Sequence, residues 1–91
     1  MKQEELLVEL EALAPQLGVT IRYEKGDFEG GYCILRDARI LLVNKRLIPG
    51  RRASVLAVAL HEIGLENLFI KPVVREYIED EVARTLRAAR P

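Results

Sequence analysis

The stretch that most constrains this chain is RRASVLAVALHEIG, residues 51–64, in which every residue from position 53 to position 60 except Ser54 is apolar. Apolar side chains on nearly every face of a helical segment require neighbours on nearly every side. A chain of 91 residues has room for one such buried helix. The rest of the sequence must therefore wrap around it as a single domain over residues 1–91. Pro49-Gly50 precedes this helix and Gly64 stands where a C-terminal stop belongs.

The flanking segments supply the wrapping. Leu6, Leu10, Leu13 and Leu17 recur at helical spacing over residues 3–17 among Glu4, Glu5, Glu9 and Glu11, and Gly18 follows as a stop. Pro15 strains or shortens the last turn of that helix. Residues 19–24, VTIRYE, alternate β-branched or aromatic with polar residues, as a half-buried strand does. Two apolar runs, residues 32–35 and 40–43, flank the charged turn Arg36-Asp37-Ala38-Arg39 and read as a hairpin, with Gly30-Gly31 as its flexible entry. Pro72 opens a last helix of roughly 14 to 18 residues, whose stripe is Val74, Tyr77, Ile78, Val82 and Leu86 and whose last turns carry Arg84, Arg87 and Arg90. The expected fold is α+β, in the order α-β-β-β-α-α, with a small, three-stranded, mostly antiparallel sheet packed against helices.

Composition limits the function classes. Apolar residues make up 49% and charged residues 31% of the chain, the balance of a folded domain rather than a disordered one. The 14 basic and 14 acidic residues cancel, so no overall field draws in nucleic acid or an anionic membrane. No run reaches the ~18 apolar residues of a membrane span, the acidic N-terminal segment is not built like a secretion signal, and Cys33 has no second cysteine to pair with. A cytoplasmic location is expected.

One fragment points to chemistry. ALHEIGLENLF, residues 59–69, begins the zinc-peptidase motif H-E-x-x-H with His61 and Glu62, but position 65 is Leu65. The fragments LAPQLGVTIRYEKG, GGYCILRDARILLVNKRL and RRASVLAVALHEIG together resemble the small zincin-type metallopeptidases, most nearly the compact domain found with phage-repressor and radiation-response regulators. The resemblance runs over residues 13–64 and is largely one of pattern, with His-Glu its chemically specific part. It implies His61 as first zinc ligand and Glu62 as the general base acting on a metal-bound water. Leu65 has no lone pair to serve as second ligand, which makes the scaffold a degenerate one. A substitute ligand set would be His61, Glu66 and Glu76, with Glu79 and Asp80 as further carboxylates.

Each candidate has a structural role to weigh against it. A histidine in the last helical turn suits the negative end of the dipole, whereas Glu62 there opposes it at a cost of about 0.3 to 1 kcal/mol. An ion pair from Glu62 to Lys71, Arg75, Lys45 or Arg46, or exposure to solvent, would offset that cost. Lys45, Arg46, Arg51 and Arg52 crowd the start of the central helix and form a candidate anion or nucleic-acid site, although aromatic interleaving is absent. Cys33 reads as a small buried hydrophobe, with a catalytic pairing to His61 as the alternative. Phe69, Ile70, Val73 and Tyr77 crowd the junction before the last helix and form a candidate subunit interface.

The sequence thus favours a non-catalytic domain that works through protein contacts or as a homodimer, without a cofactor. A metal-dependent hydrolase, with zinc, and an anion binder are the two alternatives.

Overall fold

The computed structural model describes residues 1–89, so Arg90 lies outside the described residues. Its elements are α1 (Gln3–Gln16), β1 (Thr20–Glu24), β2 (Gly30–Leu35), β3 (Ala38–Asn44), α2 (Pro49–Ile63) and α3 (Pro72–Ala88), which is the expected α+β order. Among the described residues no helix is long and apolar enough to cross a membrane.

Helix α1 continues through Pro15, which removes the bond that position 15 would make to the Glu11 carbonyl, and ends one residue later. It ends in a Schellman motif: Gly18, at φ 71°, donates to the Pro15 carbonyl, and Val19 donates to that of Ala14. Helix α2 runs from Pro49 in its first turn to Ile63, with Gly64 as the cap at φ 107°. Leu56, Ala57 and Leu60 on α2 are fully buried, against Leu10 of α1, Leu41 and Val43 of β3, and Ile78 of α3. Complete burial of a leucine side chain is worth about 1.5–3 kcal/mol, so the apolar stretch of α2 is the largest local contribution to the core.

The sheet is mixed rather than mostly antiparallel. Its order is β1-β3-β2; β3 pairs antiparallel with β2 (Tyr32↔Leu41, Leu35↔Ala38) and parallel with β1 (Ile21↔Leu41, Tyr23↔Val43). Alternation along a strand says which residues share a face but not which strand lies beside which, or in what direction. The β2–β3 turn is tighter than the four residues expected. Arg36 and Asp37 alone form it, at φ 50° and 69°, the positive pair that a type I′ turn requires. After β1 the chain passes across the sheet end, and Asn44 pins it there. The Asn44 side-chain amide donates to the carbonyls of Gly26 (2.8 Å) and Phe28 (2.7 Å) and accepts from the Arg46 N–H (2.9 Å).

Gly30 is part of β2 rather than a flexible entry to it. A β-carbon there would lie 2.4 Å from the Leu42 carbonyl oxygen and 2.8 Å from Val55 Cγ1, so α2 packs directly on bare backbone. Gly30, Tyr32 and Ile34 thereby share the helix side of the sheet, and Gly31, Cys33 and Leu35 the other.

Candidate functional site

Helix α2 ends between two clefts, and the His-Glu pair is divided between them. Glu62 lines a cleft of about 240 Å³ bounded by Gly30 and Gly31 of β2, by Arg51, Ser54, Val55, Val58 and Ala59 of α2, and by Thr85 of α3. His61 lines a different one, also about 240 Å³, with Leu65, Glu66, Arg75 and Glu79. Successive helical residues diverge by about 100°, and here the space between α2 and α3 is separated into two openings.

This division bears directly on zinc. Gly64 ends the helix before position 65, so Leu65 has left the helical face as well as lacking a donor atom. Of the substitute ligands, Glu66 lies in the His61 cleft, and Glu79 takes the place there that Glu76 was expected to fill. Glu62, the base in the resemblance, faces the other cleft. Among the described residues no group of three or more His, Cys, Asp or Glu side chains is arranged to hold a metal ion. The residues present therefore do not fit the zinc site that the resemblance implies, and no hydrolytic step is derived through it.

Two of the four cations of the basic cluster, Arg51 and Arg52, are engaged within the chain, whereas Lys45 and Arg46 are exposed. Arg51 holds Glu29 through two hydrogen bonds, Nε to Oε2 at 2.8 Å and Nη2 to Oε1 at 2.6 Å. Arg52 donates to the carbonyls of Leu47 (2.8 Å) and Lys45 (2.5 Å) and lies over the Tyr23 ring, 5.4 Å from its centroid. These two guanidinium groups brace the β3–α2 connection and one wall of the first cleft. Lys71, considered above as a partner for Glu62, pairs with Glu9 at 2.7 Å, and Glu62 itself is exposed.

The chain matches no known protein family, no curated protein and no solved structure.

A polar cluster that begins at Ser54 in the wall of the first cleft was not legible in the sequence. Ser54, only 3% exposed, donates to Glu81 at 3.1 Å, and Arg84 donates to the same carboxylate at 3.0 and 2.5 Å. Burial and the neighbouring Glu81 push the Tyr77 hydroxyl up to about 12. Tyr77, expected at an interface, is half-buried beside this cluster. A serine in an otherwise apolar helix was the available signal; its partner, 27 residues away, was not. Ser54 donates to a carboxylate that Arg84 also holds, so it is a bridge between α2 and α3.

Cys33 is exposed rather than buried, on the face of the sheet opposite α2, so hairpin and helix do not bring it to His61. Of the other interface candidates, Ile70 is 6% exposed and belongs to the chain's own core, whereas Phe69 is 85% and Val73 49% exposed.

A second exposed apolar surface lies on β2. Ile34 and Leu35 are 65% and 54% exposed. The Asn44 N–H donates to the Glu29 carbonyl at 2.9 Å, which makes Glu29 and Asn44 a bonded pair. Alternation along an antiparallel ladder then turns the backbone groups of Gly31, Cys33 and Leu35 toward β3, and those of Gly30, Tyr32 and Ile34 outward. The strand GGYCIL has no charge, no proline and no bulge, the devices that commonly blunt a sheet edge.

Proposed function

We propose that the protein is a non-catalytic cytoplasmic domain on a zincin-like scaffold, acting through protein contacts, with the outward edge of β2 as its contact strand. The observation that carries this reading is an uncharged strand whose outer backbone groups are unpaired within the sheet and whose apolar side chains, Ile34 and Leu35, are exposed. Main-chain hydrogen bonds from an added strand would supply affinity there, and the cleft beside Gly30 would supply side-chain selectivity. The bridge from buried Ser54 to Glu81 and Arg84 and the ion pair of Arg51 with Glu29 hold the walls of that cleft in place.

The test is a photo-activatable residue at position 34 in living cells, with the adducts mapped by mass spectrometry. The reading expects adducts to an extended segment of a polypeptide, either a second copy or another protein. Adducts absent from position 34 but abundant from position 69 would move the contact to Phe69 and sink the assignment to β2.

A further inference from the structure

The edge of β2 is not uniform, and its two halves differ in a complementary way. Its first half is bare: Gly30 and Gly31 carry no side chains, a β-carbon on Gly31 would meet nothing within 4 Å, and beside Gly30 opens the cleft of about 240 Å³ lined by Val55, Val58 and Ala59 together with Glu29, Arg51 and Glu62. Its second half carries the exposed Ile34 and Leu35. Ile34 lies on the same side of the sheet as Gly30, the side on which the cleft opens.

A strand pairing antiparallel with a copy of itself about a two-fold axis sets its first half against the other's second half. With the axis through Tyr32, outward-facing backbone groups meet outward-facing ones: Gly30 pairs with Ile34 of the second copy, and Ile34 with its Gly30. Directly opposed residues point to the same side of a sheet, so each Ile34 enters the other copy's cleft. Tyr32 does not obstruct the axis, because its hydroxyl accepts from Arg39 Nε at 2.8 Å, which draws the ring toward β3.

Resting on the contact-strand reading above, we infer that the occupant of the β2 edge is a second copy of this chain, joined as a six-stranded sheet with Ile34 of each copy seated beside Gly30 of the other. A single strand pair with two apolar anchors is a small interface, so the expected dissociation constant is on the order of 10 µM.

Sedimentation of the full chain across roughly 1 µM to 1 mM, bracketing that affinity, measures this directly. The inference expects a reversible dimer, weakened at least tenfold by Ile34→Glu and unchanged by Phe69→Glu. Ile34 is exposed in the monomer, so thermal melts of the variant should match wild type and exclude misfolding. Hydrogen exchange should slow at the amides of Tyr32 and Ile34 as concentration rises. The register separates Cys33 from its copy by two residues along the strands, so oxidation should not cross-link them. A chain that stays monomeric throughout, a dimer broken by Phe69→Glu instead, or a ready Cys33 disulfide would each overturn the inference. In the monomeric case, adducts from position 34 to a different protein would leave the contact-strand reading standing; no such adducts would remove both.

Discussion

Gly30 and Val55 are packed so closely that a β-carbon on Gly30 would fall 2.8 Å from Val55 Cγ1. Helix α2 therefore rests on the sheet at a point where only hydrogen fits, and the cleft beside it exists because no side chain fills that corner. Gly30→Ala should destabilise the fold by about 1–3 kcal/mol through forced displacement of α2 or β3. Gly31→Ala, one position along and in open space, should be neutral or stabilising by up to ~1 kcal/mol, because alanine restricts the unfolded chain. Urea unfolding of the two variants checks the opposite signs.

Asn44 is the second packing determinant. It is 7% exposed and satisfies the carbonyls of Gly26 and Phe28, which otherwise lack side-chain partners at the end of the sheet. Asn44→Leu should cost about 1–3 kcal/mol, since it removes three part-buried hydrogen bonds that hold the chain across the end of the sheet. Chemical denaturation measures the loss, and faster amide exchange over residues 25–29 would localise it.

The turn of Arg36 and Asp37 holds two side-chain-bearing residues at positive φ. Replacing the pair with Asn-Gly should raise stability by roughly 1 kcal/mol, because that pair adopts a type I′ turn with less strain. An upward shift in melting temperature with an unchanged circular dichroism spectrum is the expected readout.

Tyr77 links stability to alkaline pH. Its hydroxyl is held near 12 in the folded chain by burial and by Glu81, against about 10 when unfolded. A raised folded-state value means a contribution that is complete below pH ~10 and lost as pH rises toward 12. Tyr23, raised by burial and by its bond to Glu11, acts in the same direction. Melts between pH 9 and 12 should fall more steeply for wild type than for Tyr77→Phe.

With His61 and Glu62 in separate clefts, zinc should leave the melting temperature unchanged, as should a chelator. Native mass spectrometry should find bare chains. A stabilisation by zinc that His61→Ala abolishes would contradict this arrangement.

Much of the architecture could be read from local pattern. The apolar run of α2, the helical stripes of α1 and α3, and the glycines at positions 18 and 64 set the element order, because periodicity and stop signals are properties of neighbouring residues. The loss of the zinc motif at Leu65 was legible for the same reason. The parallel pairing of β1 with β3, the capture of Arg51 by Glu29, the burial of Ile70 and the bridge from Ser54 to Glu81 were not. Each joins residues far apart in the chain, and a single sequence encodes no distance between them. The separation of His61 from Glu62 is the clearest instance. Their adjacency in the chain is covalent, but which cleft each enters depends on how α3 packs across the end of α2. The sequence by itself determined the elements and where they stop; the tertiary structure alone decided which edge stayed bare and which side chains met, because strand order and helix docking follow from long-range burial rather than local propensity.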